Sequence, residues 1–132
     1  MIVGETVLSA SNIKYLLVLN HLDINGEGIR CTDIAEALNV SKPSVHQMMK
    51  TMNEMELVNK SKYGTVFLTR KGRTLANVYN EYYLTICAYF QNVLFSEKSD
   101  AKTIAMILIS EISTEQLNII CDKMKSNITD LL

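Results

Sequence analysis

The sequence predicts a mainly α-helical fold that contains one small β-sheet. Apolar side chains recur at helical spacing over long segments, and five Gly and one Pro among 132 residues leave few helix breakers. Apolar residues make up 48% of the chain and charged residues 20%, which is typical of a compact domain and not of a disordered one. One short segment, residues 65–68, carries Thr, Val, Phe and Leu directly after a Tyr63-Gly64 turn and reads as a strand.

Two helices are predicted before residue 40. The first begins near Ser9 or Ser11, either of which can cap it, and ends near Asp23; its apolar positions are Ile13, Leu16, Leu17, Leu19 and Leu22. The second begins with Thr32 as N-cap and ends at Asn39, a residue suited to a left-handed turn. Val40 is expected to fill the core after that turn.

The next segment predicts a helix followed by a β-hairpin. Ser41 caps this third helix and Pro43 fits its first turn, with a buried stripe of Val45, Met48, Met49, Met52 and Met55. The tight connection over residues 39–41 favours a helix-turn-helix over a helical hairpin of other purpose. A strand starting at Leu57 and Val58 and a second over residues 65–68 complete a winged helix-turn-helix.

The remainder of the chain is predicted to be helical. Thr69 caps a long helix over residues 70–95, a further helix covers residues 101–112, and Ser113 with Gln116 forms the capping box of the last. We therefore expect two domains, a winged helix-turn-helix over residues 1–73 and a helical dimerisation domain over residues 74–132. The residues expected to pack in a homodimer interface are Tyr79, Tyr82, Tyr83, Ile86 and Phe90.

Basic residues concentrate in the predicted winged segment. Residues 28–73 hold eight Lys or Arg against four Asp or Glu, whereas the rest of the chain holds five against ten. This asymmetry favours a polyanion-binding module, although an ordinary solvated surface would also produce it. The residues expected to contact DNA are Ser41, Lys42, Ser44, His46, Gln47 and Lys50 on the third helix and Lys60, Lys62 and Tyr63 in the wing.

Individual roles differ within this set. Gln47 is the best candidate for reading a base, because its amide can form paired hydrogen bonds with adenine, while Ser41, Lys42 and Ser44 suit phosphates. His46 suits a phosphate contact or a pH-sensitive one, and a plain surface histidine is an equal alternative.

The inventory of reactive side chains argues against several other classes. Cys31, Cys87 and Cys121 are odd in number and widely spaced, so we expect buried reduced thiols and no disulfide framework. With two His and no nucleophile-base constellation, an enzyme is not expected. No apolar run is long enough for a bilayer span and no signal peptide is evident, so we expect a cytoplasmic protein with no membrane partner.

The motifs TDIAEALNVSKPSVHQMMKTMNEMELV (residues 32–58) and LTRKGRTLANVYNEYY (residues 68–83), with the short wing between them, resemble the DtxR/MntR family of iron- and manganese-dependent repressors. The resemblance extends over residues 9–94. MarR-type regulators share the winged core but are less similar in helix order and at the TRKGR junction. The resemblance implies a dimeric transcription regulator, with repression as the expected role, that binds a near-palindromic double-stranded DNA operator.

The same resemblance implies a manganese or iron switch, but the ligands are absent from the matching positions. Those positions hold Lys14, Leu17, Tyr83, Cys87, Met106, Ile109 and Ser110, and divalent manganese or iron prefers carboxylate and imidazole donors. Glu81, Cys87, Met106 and Glu111 remain weak metal candidates. One hypothesis is a family member that has lost metal control, in which Lys14 either pairs with Glu81 or Glu111 as an internal cation or simply reaches solvent. Manganese or iron would be the cofactor only if the family mechanism is retained.

Two alternatives to this reading remain open. One is a MarR-like repressor that responds to a small molecule. The other is a winged-helix protein-interaction module that does not bind DNA, against which the basic segment and the polar helix face both count.

Overall fold

The computed structural model describes residues 7–61 and 63–131. Within them the chain forms six α-helices and three short β-strands, so the predicted mainly α fold with a small β-wing is confirmed. The order is α1 (Ala10–Leu22), β1 (Ile29–Arg30), α2 (Cys31–Leu38), α3 (Lys42–Glu54), β2 (Val58–Lys60), β3 (Thr65–Leu68), α4 (Arg70–Asn92), α5 (Lys98–Glu111) and α6 (Thr114–Leu131).

The sheet has three antiparallel strands in the order β1-β3-β2. The predicted wing hairpin is present, with Val58 opposite Leu68 and Lys60 opposite Val66. The two-residue strand β1 was not predicted; Ile29 pairs with Val66 from the other side of β3. This third strand ties the start of α2 to the wing, and we call the β2–β3 hairpin with its connecting turn the wing from here on.

The chain divides into two compact units. One, the winged unit, comprises residues 12–77, and the other, the helical unit, comprises residues 78–131 with residues 7–11. The division falls inside α4, four residues after the boundary that we placed at residues 73 and 74 from the sequence.

The core of the winged unit is built from the predicted apolar faces. Its fully buried side chains come from α1, α2, α3, β2 and β3, and they are Leu16, Leu19, Ile34, Val45, Met49, Met52, Leu57, Val58 and Val66. Met48 and Met55 are only half-buried, because they flank the inward stripe of α3. The expectation for Val40 was wrong: its side chain is 38% exposed, since Asn39 takes the left-handed conformation and turns the chain outward.

The start of α2 also differs from the prediction. The helix begins at Cys31 and its N-cap is Arg30, so Thr32 is already inside the first turn. Strand β1 leads directly into the helix, and Arg30 makes no capping bond; its guanidinium instead donates to both carboxylate oxygens of Asp33, at 3.0 and 3.2 Å. The helix is therefore started by sheet pairing and a first-turn acid, not by a side-chain cap.

The junction between α3, the wing and α4 is held by polar contacts. Thr69 caps α4 as predicted, since its hydroxyl oxygen accepts from the Gly72 amide at 2.9 Å, and the same hydroxyl donates to the Glu56 carbonyl at 2.7 Å. Lys71 donates to the Met55 carbonyl at 3.3 Å, beyond the end of α3. Gly72 lies so close to the Leu57 carbonyl that a Cβ there would overlap the oxygen.

A buried carboxylate anchors the loop that follows α1. Asp23 is almost fully buried and accepts from Arg73 at 3.2 Å and from the Gly28 amide at 3.2 Å. Arg73 also donates to Asn20 at 2.6 Å. The first helix, the loop over residues 23–28 and the first turns of α4 are thus fixed to one another within the winged unit.

The helical unit contains the rest of α4 with α5 and α6. The long helix ends at Asn92 instead of residue 95, and Phe95 has a left-handed backbone (φ +56°) that separates it from α5. Helix α5 starts three residues earlier than predicted, at Lys98. The cap of α6 is as predicted, with the Gln116 amide donating to the Ser113 hydroxyl at 3.2 Å. No helix within residues 7–61 and 63–131 is long and apolar enough to cross a membrane.

Candidate nucleic-acid interface

Helix α3 separates an apolar face from a polar one. Val45, Met49 and Met52 are completely buried, and they fix which side of the helix faces the core. All six predicted contact residues of this helix and its cap lie on the outside and are exposed: Ser41, Lys42, Ser44, His46, Gln47 and Lys50. The sequence pattern therefore placed these residues on the correct face, because burial of the Met and Val stripe leaves the polar positions outward.

The N-terminus of α3 is arranged to receive an anion. The Ser41 hydroxyl oxygen accepts from the Ser44 amide at 3.2 Å, and the two serine hydroxyls share a hydrogen bond of 2.8 Å. The first turn contains no acidic residue. The positive end of the helix dipole lies beside the exposed Lys42, an arrangement that suits a phosphate.

The wing lies beside the same helix. Lys60, in β2, has its Nζ 2.8 Å from the Nδ1 of His46. The turn is organised by Ser61, whose hydroxyl accepts from the amides of Tyr63 and Thr65 at 3.3 and 3.2 Å, a role that we did not predict. Tyr63 is 85% exposed at the tip. Lys62, also predicted as a contact, lies outside the described residues.

Two cations of the predicted basic segment are engaged within the fold, and a third is paired on the surface. Arg73 pairs with buried Asp23 and Lys71 binds a backbone carbonyl, whereas Arg30 pairs with Asp33 while its side chain stays 75% exposed. The pairing with Asp33 raises the pKa of Arg30, which therefore stays charged within an ion pair. Counting charges along the sequence overstated the cationic surface, and Lys42, Lys50 and Lys60 form its exposed part near α3.

Comparison with known proteins identifies this segment. Residues 8–66 match the family model described as iron dependent repressor, N-terminal DNA binding domain. Residues 8–66 are therefore similar to the DNA-binding domain of iron-dependent repressors. The match includes α1, α2, α3 and β2 and reaches into β3, which are the elements that build the interface.

Solved structures of similar fold extend beyond this domain. The chain is 26% identical to the hypothetical protein SSo2273 from Sulfolobus solfataricus, with 92% of this chain and 89% of that chain covered and a TM-score of 0.63. It is 27% identical to the manganese regulator SloR (89% and 55% covered, TM-score 0.70) and 25% identical to the apo form of the manganese-activated repressor ScaR (84% and 52%, 0.66). The chain thus spans about half the length of these two regulators. No curated protein sequence matches it.

The metal candidates predicted from the sequence are not brought together within residues 7–61 and 63–131. Among the described residues, no three His, Cys, Asp or Glu side chains lie together in a way that could hold a metal ion, so Glu81, Cys87 and Glu111 do not form such a group. Burial raises the pKa of the Cys87 thiol, which favours the protonated form over the thiolate that metals require. Met106 is half-buried on α5.

The internal-cation hypothesis for Lys14 receives no support from side-chain exposure. Lys14 is exposed on α1, as the simpler alternative expected. The ion pair that Glu81 makes is with Lys125, at 4.0 Å, and both side chains are largely exposed. Exposed pairs of this kind contribute little to stability.

The residues expected in a dimer interface fall into two groups. Tyr79, Tyr82 and Ile86 are buried within a single chain, and Tyr83 and Phe90 are half-buried. The large apolar side chains that the helical unit leaves exposed are instead Val7, Leu84, Leu94, Phe95, Ile107 and Ile119. A dimer interface on this unit would therefore be formed by the exposed apolar side chains, and the buried tyrosines would pack beneath them.

A cleft of about 240 Å³ lies between α4 and α6. Its lining carries both signs of charge, from Glu81, Asp122 and Lys125, together with Cys121. The Tyr82 hydroxyl, also in the wall, donates to the Asn118 side chain at 2.6 Å. Burial raises the pKa values of both Cys121 and Tyr82, so the thiol and the phenol are neutral at physiological pH.

Proposed function

We propose that this protein is a sequence-specific DNA-binding transcription regulator of the DtxR/MntR type that acts as a repressor. The observation that carries the proposal is the exposed polar face of α3, with Lys42 at its N-terminus, inside a segment that matches the iron dependent repressor N-terminal DNA binding domain. Such a helix enters the major groove in helix-turn-helix proteins. No catalytic step is part of this function, and the protein works in the cytoplasm beside its DNA.

In this function the two kinds of contact have separate roles. Ser41, Lys42 and Ser44 hold backbone phosphates and set the position of the helix, and Lys60 and Tyr63 extend the contact from the wing. Gln47 reads a base, because it is exposed on the outward face next to these anchors. A homodimer places two such helices about one DNA turn apart, which requires a near-palindromic operator.

We further propose that manganese or iron does not control this protein. The positions that resemble the family's ligand sites hold Lys14, Leu17 and Tyr83, none of which suits a hard divalent cation, and the thiol of Cys87 is buried and protonated. The residues present therefore do not fit the metal.

The deciding experiment is DNA binding by the full chain, measured with the duplex that lies upstream of its own coding sequence and with an unrelated duplex of equal length. Each titration is run across a salt series in chelator and then with manganese or ferrous ion. Tight selective binding in chelator, with a salt slope of about 0.9 per phosphate contact, is expected. Binding that requires metal would overturn the metal-independent mechanism, and no binding in either state would favour a protein-docking role.

A second candidate function is repression relieved by a small molecule, as in MarR-type regulators. The cleft between α4 and α6 favours it, because charges of both signs line its volume of about 240 Å³. Thermal denaturation of the chain with candidate effectors tests it, since a ligand that binds the folded state raises the Tm.

A further inference from the structure

The contact between the wing and α3 restricts the chemistry of one groove-facing residue. The Nζ of Lys60 lies 2.8 Å from the Nδ1 of His46, and the two residues are fourteen positions apart in the sequence. Both side chains are exposed, so the contact lies on the face that the proposed function presents to DNA. The backbones beneath it are fixed, because Val45 and Met49 of α3 and Val58 of β2 are completely buried.

The hydrogen-bonding inventory of the two groups allows one arrangement. A lysine ammonium has three donors and no acceptor, so the Nδ1 of His46 must accept. The imidazole is then neutral with its proton on Nε2, because a neutral ring has one donor nitrogen and one acceptor nitrogen. With Nδ1 occupied by Lys60, the Nε2–H remains available to another partner.

The surroundings of His46 on α3 add positive charge. Lys42 and Lys50 lie four residues before and after it, on the same face of α3, and both are exposed. Gln47, the proposed base reader, is its neighbour in the sequence. The Nε2–H donor of His46 therefore lies on a cationic surface, next to Gln47, which is proposed to read a base.

We propose that Lys60 is a positioning residue that holds His46 as an Nε2–H donor, and that His46 reads an acceptor on a base edge, with guanine as the base. Guanine presents two acceptors, N7 and O6, in the major groove, whereas cytosine presents a donor there. This inference rests on the proposed function. If Lys60 only contacted a phosphate, it would strengthen binding to every sequence equally. A Lys60 that positions His46 strengthens binding only to sequences with guanine at the contacted position.

The first test needs no DNA. Two-bond ¹H–¹⁵N correlation spectra of the ¹⁵N-labelled full chain at about pH 8, where histidine is neutral, report which ring nitrogen carries the proton. We expect His46 as the Nε2–H tautomer in the wild type and in Lys60→Arg, and a tautomer mixture in Lys60→Met. His21, exposed near the end of α1, is the internal control and should not change. A His46 tautomer that Lys60→Met leaves unaltered would overturn the proposal.

The second test measures base preference by selection from randomised duplex DNA. Lys60→Met should lose the guanine preference at one position of each half-site by about three- to tenfold, the value of one hydrogen bond, and His46→Ala should lose the same position. Lys60→Arg should restore it. Lys50→Met is the matched control: it removes a cation from the same surface, so it should lower affinity and retain that preference.

The two tests distinguish failure of the proposed DNA-binding function from failure of the inference about Lys60 and His46. If the tautomer depends on Lys60 but no sequence is selected, the proposed DNA-reading function is wrong and the reading role of His46 falls with it. If sequences are selected and Lys60→Met weakens all of them equally, the function stands and this inference is overturned. Additive losses in the Lys60→Met/His46→Ala double variant at the guanine position would also contradict it, because coupled residues are not additive.

Discussion

Gln47 carries the most specific prediction at the scale of single residues. Its side chain is exposed on α3, near the start of the helix that is proposed to bind phosphate, and Gln47→Ala would remove the proposed paired hydrogen bonds without touching a buried group. We expect the preference for the contacted base to fall by about 1–3 kcal/mol, with non-specific binding little changed.

The measurement for Gln47 is the affinity for a selected duplex against a randomised one. Gln116→Ala, a glutamine lost from the exposed surface of α6, is the control and should alter neither affinity. Equal losses on both duplexes would show that Gln47 contacts phosphate or orders the helix instead of reading a base.

Gly72 carries a stability prediction at the same scale. In an ordinary helix a change from Gly to Ala is favourable by about 1 kcal/mol, but here the added Cβ would overlap the Leu57 carbonyl oxygen. Backbone cannot move aside cheaply, so we expect Gly72→Ala to lower the free energy of unfolding by about 2–3 kcal/mol. Urea denaturation followed by circular dichroism measures this value.

A second glycine supplies the comparison for Gly72. Gly26 has a left-handed backbone (φ +73°) with open space around its missing Cβ, so Gly26→Ala should cost only about 1 kcal/mol from backbone strain. A Gly72→Ala protein as stable as the wild type would mean that α4 can shift away from the wing.

At the scale of elements, the N-cap of α3 links folding to binding. Ser41 satisfies the Ser44 amide, so Ser41→Ala should destabilise the protein by about 1 kcal/mol. It should also weaken DNA binding, because the same end of the helix is proposed to receive a phosphate. Ser113 caps α6 with the same 3.2 Å geometry and is the matched control. Ser113→Ala should cost similar stability and leave affinity unchanged; a parallel loss of affinity in both variants would assign the effect to stability alone.

The elements that the sequence predicted are those specified by local residues. Ser41, Pro43 and the Met stripe define α3 within thirteen residues, and Thr69 and Ser113 define the starts of α4 and α6 in the same way. Strand β1 has only two residues and exists because Ile29 pairs with Val66, a partner far along the chain. No local pattern signals such a pairing, and the same omission led to Thr32 as the expected start of α2.

At the scale of the whole molecule, the sequence determined which charges are present but not which of them reach the surface. Eight cations between residues 28 and 73 predicted a basic face, yet the half-buried Arg73 is paired with Asp23, and Lys71 binds the Met55 carbonyl. Asp23 lies fifty residues before Arg73, and only the folded chain shows this pairing. The positions on α3 were predictable for the opposite reason, because helical periodicity fixes which side is exposed once the core side is known.

The assembly of two chains is the remaining prediction at this scale. Leu84 is 56% exposed on α4, and Ile107 on α5 and Ile119 on α6 are about as exposed. Burial of these side chains against a second chain would be favourable, because it removes apolar surface from water. A homodimer would also raise affinity for the proposed operator, since the second helix would then bind its half-site as an intramolecular step.

We expect sedimentation equilibrium of the full chain at micromolar concentration to give a dimer, and Leu84→Glu to shift it to the monomer, because a carboxylate buried without a partner is costly. Affinity for a palindromic duplex should then fall by about 100-fold or more, while binding to a single half-site stays the same. Asn92→Glu adds the same charge to exposed α4 surface, where the asparagine bonds only its own helix, and should remain dimeric. A wild-type monomer, or a Leu84→Glu dimer, would move the interface away from this face and require the two recognition helices to be paired by another surface.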